Sequence, residues 1–341
     1  MEDKFNYKSF ISGFFTSLII LLGLANLIKT PYAVMAGGGI IPASDRVVID
    51  NQHQSRGSFN LAYVGMKEGS LFNVIKASLT KSEIIVPMDK ASQKENSQDV
   101  LKRNTLDLIN SEMTAIKVAY PKAGHKVIDN GVDNYIYVVN DDVEGIHVGD
   151  KILSINNMPL DNAEELRKGY KDNKLGTLYD VKIIDNKGNE KIVKIPLKED
   201  NNKERYLGFT IASIPKLKVD PKINFKFKTS ENGSSGGLAM ALTIYNHLTP
   251  DDITKGKKVV VTGVLNDKGE VGDIGGVLQK LEGARDAKAD IFVVPAGFNE
   301  KEVLDACRNK KCPKIIGVKT FDETLEKLRK EGKWKRVRKF Y

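Results

Sequence analysis

SENGSSGGLAMAL, residues 230–242, sets two adjacent serines between glycines and then enters an apolar stretch that runs on through Ile244 to Leu248. Leu238, Ala239, Met240, Ala241, Leu242 and Ile244 leave almost no polar face, so the segment predicts a buried helix over 236–248. The first turn of such a helix carries unpaired N–H groups and the positive end of the helix dipole. A serine placed there either caps the helix or attacks a substrate whose developing oxyanion those N–H groups hold. Gly233, Gly236 and Gly237 leave space for a substrate backbone. A phosphate would suit the same geometry, but GSSGG lacks the G-x-G-x-x-G spacing and the chain contains no G-x-x-x-x-G-K-[ST]. No nucleotide cofactor is expected.

A serine nucleophile needs a base. The four histidines are His53, His125, His147 and His247. His247 lies about three turns down the same helix, and none of the others falls in a triad context. A lysine can serve if burial or positive potential depresses its pKa. In GGVLQKLEGARDAKA, helical spacing puts Val277, Leu281 and Ala284 on one face, with Lys280 on the flank of that stripe and in the first turns after Gly275-Gly276. The bland reading is a lysine that snorkels outward.

Strand-like and helical runs alternate around these segments. VVVTGVLNDKGEVG reads as a hairpin turning at Asn266–Gly269, VLQKLEGARDAKA as a helix, IFVVP as a strand, NEKEVLDACRN as a helix, KIIGV as a strand and FDETLEKLRK as a last helix. That order predicts an α/β layer. Upstream, YIYVV, KILSIN, YDVKII and KIVKIPL are short β runs, with NAEELRKGYK as a helix between the second and third. Still earlier, FNLAYVGM and EIIVPM read as strands, and SLFNVIKASL and 97–116 as helices, a mixed scaffold without assignable chemistry.

Phe10–Ile28 is 19 residues without a charge, flanked by Lys8 and Lys29. At ~1.5 Å per residue it spans ~28 Å, the thickness of a bilayer's hydrocarbon core. The lysines before it place the N-terminus in the cytoplasm and the rest of the chain outside. A cleaved signal peptide, with Val34-Met35-Ala36 as its site, is the alternative. The net charge of +9 favours anionic surroundings, but no zinc-knuckle or aromatic–basic pattern points to nucleic acid. Cys307 and Cys312, spaced C-x4-C without a nearby histidine, make a poor metal site; they are either a small disulfide or two free thiols.

Two resemblances follow from these residues. HVGDKILSINNMPLDNAEEL, with its Gly-Asp turn, strand, Asn-Asn turn and capped helix, resembles a bacterial PDZ domain, which implies capture of an extended peptide at a sheet edge. NGSSGG before an apolar helix, then VVVTG, then a glycine 13 residues after that threonine inside IGGVLQK, resembles the proteolytic domain of Lon-type serine peptidases. The family pattern runs roughly D-G-P-S-A-G, T-G, G-G-L-K-E-K. It implies Ser235 as nucleophile, Lys280 as general base and Thr262 as the lysine's support. Asn232, Ser234 and Gly236 depart from the pattern, and Val264 stands where an acidic residue is common.

Together the features resemble membrane-anchored PDZ–Lon proteases of Gram-positive bacteria, one group of which processes a secreted peptide pheromone. The fold class expected is α+β multidomain: cytoplasmic 1–9, a transmembrane helix 10–28, a linker 29–46, a mixed membrane-proximal region 47–126, a PDZ-like β domain 127–200, an α/β Lon-type domain 201–331 and a basic tail 332–341. The resemblance implies ATP-independent cleavage of peptides or unfolded segments at the outer face of the cell membrane, with no cofactor or metal. It also implies self-association into rings, which nothing in this sequence specifies. The rival expectation is an inactive surface protein that binds peptides through the PDZ-like region.

Overall fold

The computed structural model describes residues 7–80, 83–88, 97–160, 170 and 173–331, and only the backbone of 8–10, 68 and 97. The helix expected at NAEELRKGYK, apart from Tyr170, and the basic tail lie outside the described residues.

The chain opens with α1 (Tyr7–Leu27) and passes almost directly into β1 (Lys29–Pro42). β2 (Val47–Ile49), β3 (Ser58–Ser70), α2 (Leu71–Leu79), β4 (Ile84–Pro87) and a long α3 (Ser97–Lys122) follow. Seven of the next eight strands occur in order as β5 (Val127–Val139), β6 (Lys151–Ile155), β7 (Met158–Pro159), β8 (Leu178–Ile184), β9 (Glu190–Pro196), β10 (Lys198–Glu199) and β11 (Arg205–Tyr206), and β12 (Phe209–Val219) closes the set. The remainder is β13 (Ile223–Phe225), α4 (Gly237–Leu248), β14 (Lys258–Val261), β15 (Val264–Leu265), β16 (Val271–Gly272), α5 (Val277–Asp286), β17 (Ile291–Pro295), α6 (Phe298–Ala306), β18 (Lys314–Val318) and α7 (Phe321–Lys330).

One sheet has the order β18-β17-β14-β3-β1-β4. Its four strands from β18 to β3 are parallel, and β1 and β4 close it antiparallel. KVVV and IFVVP are apolar at successive positions because both faces of these strands are covered. One face packs Leu61, Val259, Val261 and Val293 under α3, α4 and α7; the other packs Ala62, Val260, Phe292 and Val294 under α5 and α6. The second sheet, β12-β5-β6-β8-β9 with β7 on β6, is wholly antiparallel and has its own core of Ile136, Ile152, Val181, Ile183 and Ile195. Its β6–β7 hairpin turns at Asn156-Asn157, both with positive φ, as a tight two-residue turn requires.

Three boundaries differ from those expected. The stretch read as a linker, 29–46, is mostly strand β1, paired with β3 on one side and β4 on the other. The 47–126 region is therefore no separate unit: its β3 pairs with β14 inside the same sheet. Residues 209–219, expected to open the α/β domain at 201–331, form β12, which pairs with β5 from Phe209↔Val139 to Val219↔Val127. The antiparallel domain is thus an insertion in the α/β domain, entered from α3 and left into β13. Cys307 and Cys312 are joined by a disulfide.

The helix expected over 10–28 is α1, and Phe14, Phe15, Ile19 and Leu21 on it are exposed. Among the described residues no helix is long and apolar enough to cross a membrane, and the side chains of 8–10 at the start of α1 lie outside them. The transmembrane expectation gains no support from the structure.

The Gly37–Gly39 run that disguised β1 has a structural cause. The strand bulges between Ala36 and Gly39, and α5 lies against it so closely that a Cβ on Gly283 would fall 2.9 Å from the backbone of Gly39. Helix propensity alone would make Gly283→Ala stabilising by ~1 kcal/mol. A rigid backbone clash outweighs it, so the substitution is expected to lower unfolding free energy by ~1–3 kcal/mol in a urea titration; a gain would show that α5 can lift off β1 freely.

Candidate active site

The site forms where β14 ends. Thr262, fully buried, follows the strand and donates its N–H to Val293 O at 3.0 Å. The next residues clasp the start of α4 in both directions: Gly263 N–H donates to Ser235 O at 2.9 Å, and Leu238 N–H donates to Gly263 O at 3.2 Å. Ser235 is thereby fixed between its helix and the strand end. Lys280 reaches it from α5 on the opposite face of the sheet, with Nζ 2.9 Å from Ser235 Oγ and 3.1 Å from Thr262 Oγ1.

Lys280 is only 2% exposed. Among the described residues it forms no ion pair with any carboxylate, and desolvation pushes its pKa down from 10.5 to about 8. The snorkelling alternative is therefore not what the chain adopts. A useful fraction of the amine is neutral near physiological pH, and its lone pair faces a serine hydroxyl within hydrogen-bond reach.

The loop carrying Ser235 is held from both ends. Gly233 has φ +94, a conformation that L side chains resist, and its N–H donates to Asn104 O on α3 at 3.0 Å. Ser234 O accepts from Ser111 Oγ at 3.2 Å and from Gly237 N–H at 3.2 Å. At the base of the loop Glu231 takes a bidentate pair from Arg46, at 2.6 and 2.7 Å, and that hydrogen bonding holds its carboxyl below the usual range. Sequence reasoning missed Arg46, Asn104 and Ser111. Their partners lie over a hundred residues away, and no local pattern marks them.

Two expectations change in detail. Gly236 and Gly237 make room for the protein rather than for substrate: a Cβ at Gly236 would sit 2.7 Å from Leu61 Cδ2, and one at Gly237 2.8 Å from Ser111 Oγ. The amides of Gly237 and Leu238, expected to face an oxyanion, are already committed to Ser234 O and Gly263 O. His247 is buried at the far end of α4 with its pKa pushed down to about 4 by desolvation, and among the described residues no histidine hydrogen-bonds Ser235. No cluster of metal-ligating side chains occurs among them either.

Residues 227–330 match the family described as the Lon protease (S16) C-terminal proteolytic domain. The chain is 34% identical over 111 residues to Lon protease 2 of Bacillus subtilis, a match covering 32% of this chain and 19% of that protein. It is 32% identical over 103 residues to the archaeal Lon protease of Archaeoglobus fulgidus, covering 30% and 16% respectively. The chain thus spans under a fifth of these relatives. A crystal structure of the PDZ domain of an SdrC-like protein from Listeria monocytogenes aligns with 25% of this chain and 92% of its own, at 24% identity and a TM-score of 0.22.

Burying the amine costs stability. Below pH 8 Lys280 is charged in both the folded and unfolded chain, so the full desolvation cost falls on the folded state. Between pH 8 and 10.5 only the unfolded state still binds the proton, and wild-type stability rises with pH. Lys280→Met is therefore expected to be more stable than wild type by ~1–3 kcal/mol at pH 7, with the gap closing towards pH 10.5. Denaturant midpoints measured across pH check this; a Met variant less stable at pH 7 would contradict it.

Proposed function

We propose that the protein is a serine endopeptidase working through Ser235 and Lys280, and the observation that carries this is the buried Nζ–Oγ contact of 2.9 Å. Neutral Lys280 takes the Ser235 proton as Oγ attacks a peptide carbonyl. The amides of Ser235 itself and of Gly236, which make no backbone bond among the described residues, are the donors for the oxyanion. Collapse of the tetrahedral species breaks the C–N bond, and the lysine gives its proton to the departing amine. Water, deprotonated by Lys280, then hydrolyses the ester, and the lysine returns the proton to Ser235 Oγ as the acid is released. Thr262 orients the lysine throughout.

The substrate class proposed is an extended peptide or an unfolded segment. β3 pairs with β14 only from Ser58 to Leu61, so beyond Ala62 its edge runs unpaired past the end of β14, among the described residues. Ser58 N–H points to the β14 side, bonding Lys257 O. Strand alternation therefore turns the amides of Ala62 and Val64 to the same open side. A substrate strand paired there would lie in line with β14, directly above Thr262. Folded proteins cannot present such a strand, and nothing in this chain resembles an ATP-driven unfoldase motif.

The antiparallel domain is proposed to capture peptide in the PDZ manner. A membrane anchor with the protease on its outer face is proposed from the sequence alone, from the uncharged run Phe10–Ile28. Secreted signalling peptides belong to the proposed substrate class.

The 341-residue chain is expected to cut unstructured peptides without ATP, with new termini read by mass spectrometry, and Ser235→Ala or Lys280→Ala is expected to abolish cutting. Because the base must be neutral, acylation should rise about fiftyfold between pH 6 and 8 and level off above. Cleavage that survives Lys280→Ala would remove the lysine from its role. A folded wild type that cuts nothing at any pH would favour the binding-protein alternative.

A further inference from the structure

The inserted antiparallel domain and the nucleophile loop grip the same helix. On α3, Arg103, Asp107 and Ser111 recur every four residues and so form one row. Tyr137 of β5 sits on the first two: its hydroxyl donates to Asp107 Oδ1 at 2.9 Å, and its ring centre lies 5.9 Å from the Arg103 guanidinium carbon. One turn further along the row, Ser111 Oγ holds Ser234 O at 3.2 Å, the carbonyl next to the nucleophile. The Asn104 carbonyl of the same helix holds the Gly233 amide. Beyond them Thr114 and Lys117 bind Asp267, at 3.1 and 2.7 Å, in the turn joining β15 to β16. β15 in turn backs the start of α4, where Leu265 lies under Gly237.

α3 thus touches the inserted domain and both segments framing Ser235. On its N-terminal side the loop is also held by the Arg46–Glu231 pair, while nothing lies within 4 Å of the Cβ position at Gly233. A displacement of α3 passes to Ser234 and on to Oγ. An error of even ~1 Å there separates nucleophile from base and can cost ~100-fold in rate.

We propose that the inserted domain, besides any capture of substrate, sets the position of Ser235 through this row on α3, with Tyr137 and Ser111 as positioning residues. The inference rests on the Ser235–Lys280 reading above. A domain that only recruits peptides would change how tightly a peptide binds. A domain that positions the nucleophile changes the chemistry of molecules too small to touch it.

The test uses the whole chain and a small fluorophosphonate that reacts with Ser235. Tyr137→Phe keeps the ring and removes the hydrogen bond. It is expected to slow labelling at saturating probe about fivefold, with its melting temperature and its KM for peptides unchanged. Ser111→Ala should slow labelling similarly, and the double variant should be no slower than the worse single one, because both cuts fall on one route. Hydrogen exchange supplies a readout free of activity: the Gly233 amide should lose protection in Tyr137→Phe. Wild-type labelling rate and unchanged exchange in Tyr137→Phe would overturn the inference and leave the dyad standing, as would multiplicative losses in the double variant. Absence of labelling in the wild type would overturn the dyad, and this inference with it.

Discussion

Everything in the α/β domain bears on one desolvated amine. A lysine that is 2% exposed and paired with no carboxylate among the described residues is an energetic burden. The fold tolerates it because each group around it is held independently. Thr262 is locked by the β14–β17 ladder, Ser235 by the reciprocal bonds to Gly263, and the backbone of α5 by its close seat on the bulge of β1. A looser arrangement would let water reach Nζ and return its pKa towards 10.5. Close packing thus sets how much of the amine is neutral.

The topology explains why this pair can form at all. Ser235 heads a helix on one face of the sheet and Lys280 lies on a helix of the other face, so they can meet only beyond the end of the strand between them. β14 ends at Val261, opposite Val293 and Leu61, whereas β17 on one side runs two residues further to Pro295 and β3 on the other runs nine further to Ser70. The site is a notch in the sheet. The same shortness that lets the amine cross to the serine leaves the β3 edge unpaired beside it.

Much of this was legible in the sequence, because the relevant signals were local. The buried α4 follows from an apolar run without a polar face, and the flanking position of Lys280 from helical spacing. The tight turn at Asn156-Asn157 and the α/β alternation after 258 read in the same way. The illegible parts are those whose identity depends on distant partners. KTPYAVMAGGGIIP carries glycines that suggest a linker, yet it is a strand, since β3 and β4 supply its hydrogen bonds and α5 supplies the reason for glycine. Phe209–Val219 looked like the start of one domain and is the last strand of another. Which helix amides remain free for an oxyanion depends on Gly263, which no inspection of 230–248 reveals.

The insertion point turns these separate facts into one arrangement. β5 and β12 are the two legs by which the antiparallel domain stands on the α/β domain, and β12, eleven residues long, pairs with β5 from Phe209 to Val219 around a bulge at Lys216. Such a ribbon transmits force along its length better than two flexible linkers would. One leg emerges from α3, whose carbonyl and hydroxyl hold the loop at Gly233 and Ser234. The other leads into β13, which pairs with β2 and then runs to Glu231, itself clamped by Arg46. Both ends of the insert therefore terminate on the supports of the loop that carries Ser235. A module whose sole task was to tether substrate would work from any surface loop. Placed here, it stands on the segments whose geometry decides whether Ser235 meets Lys280.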